Sequence, residues 1–226
     1  MNWQPLNQLA RATSEQLRQI SYDNNEDAAL SRNFADDLER VANASLEPQN
    51  GQGAPVRALK FAPIVFDTAH ENEISELMSL ASSAFGLVRW TEFYAEDDWS
   101  RHFLPCLANG EGIGPDGRLR DNNIIFGLCL FGPNTVYPPH AHPAEEFYLV
   151  LSGDPEFQVG ARNPYLTQNP GSVVLHHSNV SHSIRMSDHP FFGIYGWRGD
   201  IHERSWYRND MSDETEPKKF PKISKG

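Results

Sequence analysis

From residue 124 to residue 197 the apolar residues come in short runs, each closed by Gly, Pro, Asn or Asp. The runs cover 124–131, 147–151, 156–159, 173–176, 182–186 and 191–197. Each has the length of a strand, and their regular repetition between turn residues predicts an antiparallel sandwich or barrel.

Upstream the periodicity is helical. Leu9, Leu17, Ile20, Leu30, Phe34, Leu38 and Val41 recur at helix-like intervals over 7–41, and the interruption Tyr22-Asp-Asn-Asn-Glu divides the stretch into two helices. A Gly- and Pro-rich loop over 44–55 follows. Asp67 or Thr68 could cap a third helix carrying Ile74, Leu77, Met78, Leu80, Ala81 and Phe85 and running to Leu87. Trp90, Phe93, Tyr94, Trp99 and Phe103 then cluster, suited to a lid, a subunit contact or satellite core. Gly112, Gly114, Pro115 and Gly117 read as a turn. The expected organisation is mostly β with α: a helical region over 1–120, a β-barrel over 121–209 and a charged, mobile tail over 210–226.

A net charge of -11 argues against nucleic acid and against an anionic membrane surface, both of which need concentrated basic side chains. A small anionic substrate stays compatible, because a metal ion or one arginine reverses the local field. No run of about twenty apolar residues is present to span a bilayer. The amino terminus lacks the basic start and apolar core of a secretory signal. Cys106 and Cys129 sit among apolar neighbours and read as reduced thiols, so a cytoplasmic protein is expected.

The β half carries Tyr137-Pro-Pro-His140-Ala-His142-Pro-Ala-Glu145-Glu146-Phe-Tyr148. Alternate side chains of a strand share a face, so His140 and His142 can point together, with Glu146 and Tyr148 in the same parity unless Pro143 bends the chain. Imidazoles and one carboxylate suit a borderline divalent ion: Zn, Fe, Mn, Ni or Co. A further histidine completes the set. His176, His177 and His182 compete; the spacing from Pro170-Gly171 favours His182, which follows a loop and can open a returning strand, and leaves His177 at the turn. His70, His102, His189 and His202 lack a comparable context.

Gly132, His140-x-His142, Glu146 and Gly153 resemble the first cupin motif, and Pro170-Gly171 with His182 resembles the second. The Gly132–His140 interval is longer than the usual pattern, and Ser172, His177 and Asn179 depart from it, but no ligand is lost. The resemblance implies a C-terminal double-stranded β-helix, or jelly roll. The segment from Tyr137 to Gly153 is similar, more narrowly, to that of the cupin-type dimethylsulfoniopropionate lyases, most like their DddL branch with DddQ close by.

That family implies a carbon–sulfur lyase that cleaves dimethylsulfoniopropionate to dimethyl sulfide and acrylate. The metal would bind the substrate carboxylate, and a base would take the adjacent proton. The resemblance marks Tyr148 as that base and Tyr137 as an orienting or alternative base. Aromatic faces attract a sulfonium, and Tyr195, Trp197 and Phe131 are the candidates to line its pocket. Two rivals use the same ligands: a dioxygenase with Fe(II), and a non-catalytic cupin that binds a small molecule. The helices offer a surface for a homodimer.

Overall fold

A computed structural model of the chain describes residues 2–51, 53, 55–67 and 74–203, with the backbone of 206–207 and 218–219. Thr68, His70 and the rest of the 210–226 tail lie outside the described residues.

Helix α1 (Gln4–Gln19) has a proline in its first turn and buries Leu6, Leu9, Ala10, Thr13 and Leu17 along one stripe. Helix α2 (Asn25–Asn43) begins behind Asn24, whose Oδ1 accepts from the Asp27 amide at 2.7 Å, and Glu26 and Asp27 face the positive end of its dipole. The break falls where the polar run predicted it. Two buried hydroxyls join the helices: Ser14 donates to the Ala35 carbonyl at 2.7 Å and Ser31 to that of Leu17 at 3.0 Å. Helix α3 (Ala62–Asp67) takes Asp67 as its last residue, not as the cap of a later helix. Helix α4 (Ser75–Ala84) starts behind Ile74 and stops short of Leu87.

Strands begin earlier than the composition suggested. β1 (Arg89–Thr91), β2 (Leu107–Gly114) and β3 (Leu119–Arg120) all precede residue 121. Gly112, read as part of a turn, lies inside β2, and Gly114 ends it. The glycines of this region serve close approach. A Cβ on Gly110 would stand 2.5 Å from Val88 Cγ2, and one on Gly127 of the neighbouring strand 1.8 Å from the Gly110 carbonyl oxygen.

The remaining strands are β4 (Ile124–Phe131), β5 (Val136–Ala141), β6 (Glu145–Ser152), β7 (Glu156–Val159), β8 (Leu166–Thr167), β9 (Val173–His176), β10 (His182–Arg185), β11 (Phe191–Arg198), β12 (Trp206–Tyr207) and β13 (Lys218–Lys219). They form two sheets, ordered β1-β2-β4-β11-β6-β9, with β3 on β2, and β13-β12-β5-β10-β7-β8. The result is a jelly roll preceded by helices.

The first sheet is buried on both faces. Phe126, Leu128, Leu130, Phe147, Leu149, Phe192 and Ile194 point outward and pack with Leu6, Phe34 and Leu38 of the helices; Phe34 meets Phe147 edge-on at 4.9 Å. The alternate residues, Cys129, Phe131, Tyr148, Val150, Tyr195 and Trp197, point inward and meet Tyr137, Phe157 and Ile184 of the second sheet. Double burial explains why these runs are continuously apolar.

Ion pairs fasten α2 to the β half, Arg40 to Asp121 at 2.7 Å and Asp37 to Arg198 at 2.9 Å, and Arg198 also pairs with Glu145 across β11 and β6 at 2.6 Å. Cys106 and Cys129 are both free. Among the described residues no helix is long and apolar enough to cross a membrane.

Candidate metal centre

Two cross-strand rows meet between the sheets. In the first sheet Glu146 of β6 stands opposite Trp197 of β11 on one side and His176 of β9 on the other. In the second, His140 of β5 stands opposite His182 of β10. The β5–β10 register shifts between His182 and Ile184, whose partners are His140 and Tyr137, so β5 carries an extra residue at Pro138-Pro139. Prolines donate nothing to a ladder and are tolerated at such a bulge.

His140, His142, Glu146 and His182 are all within 2% of complete burial. His140 Nδ1 lies 2.8 Å from the Pro138 carbonyl, His142 Nδ1 2.8 Å from that of Ala144, and His182 Nδ1 2.9 Å from that of Val180. A carbonyl only accepts, so each Nδ1 carries the proton, and in the neutral ring each Nε2 presents a lone pair. The Nε2 atoms of His142 and His182 each lie 3.3 Å from Glu146 Oε2.

Burial drives His140 well below the usual imidazole range, reinforced by its neighbours His182 and His142. Burial also lowers His182, against the opposing pull of Glu146. Burial works to raise the Glu146 carboxyl, but His142, His176 and His182 hold it well below its ordinary value. The centre therefore sets an anionic carboxylate against the neutral imidazoles of His140 and His182. Lone pairs turned toward a carboxylate oxygen in a buried space call for a cation between them.

The remaining geometry agrees. The Nε2 atoms of His176 and His182 are buried with no hydrogen-bond partner. Donor atoms of His140, His142 and His182 lie within 4.8 Å of one another, as do those of Glu146, His176 and His182. Three imidazoles and one carboxylate fit a divalent transition ion, and the donor set does not choose among Zn, Fe, Mn, Ni and Co.

The competing histidines separate. His177 turns outward, its Nε2 2.7 Å from Asp27 of α2. His176 is fully buried, with Nδ1 2.9 Å from Glu146 Oε2 and its ring stacked on His182 at 3.8 Å. Its one sequence signal was inward parity with Val174 at the end of a strand.

Trp197, expected to line a cation pocket, donates its indole N–H to Glu146 Oε1 at 2.5 Å and lies 4.1 Å from the His142 ring. Tyr195 stacks on Tyr148 at 6.4 Å, and Phe131 meets Tyr137 and Tyr148 edge-on at 5.9 and 6.4 Å. Tyr94 reaches the interior, where its hydroxyl and that of Tyr137 are hydrogen-bonded. Phe93 sits 5.6 Å from Trp197 and Trp99 5.8 Å from Tyr94. Trp90 does not join them: its indole donates to the Phe85 carbonyl at 3.0 Å under the helices.

Burial first, and then the Glu146 charge, raises the Tyr148 hydroxyl well above the usual phenol range. Burial likewise raises Tyr137, helped by Tyr94 and Glu146.

Comparison with known proteins finds related sequences and folds. A family model described as dimethylsulfoniopropionate lyase matches residues 26–192. The dimethylsulfoniopropionate lyase DddQ of Ruegeria pomeroyi is 27% identical over 161 residues, covering 70% of this chain and 77% of that protein. A putative dimethylsulfoniopropionate lyase DddL of Cereibacter sphaeroides is 33% identical over 91 residues, 39% of this chain and 37% of that protein. The crystal structure of the Ruegeria pomeroyi DddQ superposes with a TM-score of 0.61 at 24% identity, covering 71% of this chain and 81% of its own. That likeness bears on the fold.

Proposed function

The chain belongs to the dimethylsulfoniopropionate lyase family, and from that membership we propose that it cleaves dimethylsulfoniopropionate to dimethyl sulfide and acrylate by β-elimination. The site would be a divalent metal centre held by His140, His142, Glu146 and His182. One observation carries the metal reading: three buried imidazoles have Nδ1 committed to backbone carbonyls, which turns Nε2 toward the interior. Family membership carries the choice of substrate.

A bound divalent ion would supply positive charge to the substrate carboxylate and so acidify the neighbouring C–H. The protein must then provide a base, an oriented substrate and a dry pocket. Tyr148, two residues beyond Glu146 on the inner face of β6, is the assigned base. Tyr137, stacked on His140 and hydrogen-bonded to Tyr94, orients the reacting end. Burial and the Glu146 charge keep the Tyr148 phenol protonated, and a cation held by the imidazoles would act in the opposite sense. With that cation bound, a phenol that has given up its proton to solvent would take the α-proton, the C–H electron pair would become the new C=C bond, and the C–S bond would break with its pair going to sulfur. The sulfonium leaves as a neutral thioether and needs no acid.

Tyr195 and Phe131 supply aromatic faces beside Tyr148 for the sulfonium, each worth about 0.5–2 kcal/mol. Trp197 offers its ring while its N–H stays on Glu146. The two free cysteines support a cytoplasmic location.

The test is incubation of metal-replete protein with dimethylsulfoniopropionate and headspace detection of dimethyl sulfide, with and without oxygen. Release in both atmospheres is expected. Absence of dimethyl sulfide sinks the lyase reading, and a product that forms only with oxygen supports the dioxygenase alternative.

A further inference from the structure

Glu146 is flanked on both sides by residues outside the ligand set proposed above. Trp197 on β11 and His176 on β9 are its directly opposite partners. Side chains so placed stand close enough to interact across the strands. Each addresses a different oxygen: the indole N–H donates to Oε1 at 2.5 Å, and His176 Nδ1 lies 2.9 Å from Oε2. Oε2 is also the atom facing the Nε2 positions of His142 and His182, at 3.3 Å each.

We propose that His176 and Trp197 are positioning residues that clamp the Glu146 carboxylate in one rotation, offering Oε2 alone to the metal and leaving a coordination position open for substrate. An indole has a single donor and no acceptor. Turning Oε1 toward the metal would strand that donor in a buried site, which the fold resists. His176 also braces a second ligand, because its ring lies 3.8 Å from that of His182 at 18° between planes. An unclamped carboxylate could swing to bind through both oxygens and fill the position that a catalytic centre keeps free.

This inference rests on the ligand set of the proposed function and not on its substrate. The test measures Zn2+ affinity by competition with a chromophoric chelator, and the visible absorption of the Co2+-substituted protein, for His176→Phe, Trp197→Phe and His176→Gln, with His182→Ala as reference. Both Phe variants should still bind one ion per chain at saturation, with affinity lowered about 10-fold to 100-fold and an altered Co2+ spectrum. His176→Gln retains an N–H donor and should recover most of the loss, which a purely structural role would not produce. Unchanged affinity in both Phe variants overturns the clamp. So does loss of stoichiometric binding in His176→Phe to the level of His182→Ala, which would make His176 a ligand. Should His176→Phe fail to fold, Trp197→Phe and His176→Gln decide the matter. The dimethyl sulfide assay on the unaltered protein reports on the lyase reading separately, since the affinities require no substrate.

Discussion

Tyr137 lies stacked on His140, their ring centroids 4.0 Å apart and their planes 23° from parallel. In a regular strand two residues separated by three positions point to opposite faces. The register shift opposite His182 and Ile184 removes that parity and turns both side chains inward. The Tyr137 hydroxyl then meets Tyr94, so the segment between β1 and β2 completes the interior of the site.

The first prediction concerns the two tyrosines. Tyr148→Phe is expected to lower kcat by about 10²-fold to 10⁴-fold, as loss of a general base does, while leaving one metal ion per chain and KM nearly unchanged. Tyr137→Phe should cost less, on the order of 10-fold, because it orients and does not take the proton. A larger loss in Tyr137→Phe than in Tyr148→Phe would move the base role to Tyr137. Steady-state kinetics with metal analysis of each variant decides it.

Metal content should separate the neighbouring histidines. His182→Ala removes an inward Nε2 and should abolish stoichiometric binding, whereas His177→Ala should leave it intact. The cost of the latter is one partly exposed pair with Asp27, about 0–1 kcal/mol of stability. Elemental analysis after dialysis is the measurement. Equal loss in both would mean that His177 turns inward when metal binds.

Removing the ion should destabilise the fold as well as silence it. A ligand that binds only the native state stabilises by about 2.7 kcal/mol when present at about 100 times its dissociation constant. Chelator-treated protein should therefore melt at a lower temperature and recover on adding back a divalent ion. Identical melting curves with and without metal would argue against a site among the imidazoles.

Stability should also report on Glu111, whose carboxyl is pushed from 4.5 up to about 7 by burial, against the Asp116 and Gly117 amides that favour the anion. A carboxyl whose folded pKa exceeds its unfolded value favours the fold when protonated. Its contribution is full below the unfolded pKa and is lost as pH rises through about 7. Relative to Glu111→Gln, the unaltered protein should thus lose on the order of 1–3 kcal/mol between pH 4 and pH 8. Urea denaturation across that range tests it, and a difference that does not vary with pH would refute the assignment.

Much of the jelly roll was legible because turn residues punctuate its strands. β2 escaped because Gly112 and Gly114 read as turn signals, whereas in the fold both belong to the strand and Gly112 lets the Leu6 side chain approach. β5 carries Pro138 and Pro139, which ordinarily argue against a strand and here sit at a bulge. His140, His142 and Glu146 stood out because they share one short segment with the spacing and donor chemistry of a metal site. The aromatic residues were visible as a set, but nothing in their spacing told Tyr94 at the site from Trp90 under the helices.

By itself the sequence determined what local chemistry determines: where the turn-punctuated strands β4, β6, β7, β9, β10 and β11 lie, which faces are apolar, and which side chains bear metal-binding atoms. Tertiary structure alone decided that His176 and Trp197, 30 and 51 residues away in the chain, hold opposite oxygens of Glu146. Cross-strand register is set by long-range pairing and by burial on both faces of a sheet. No short window of residues contains it.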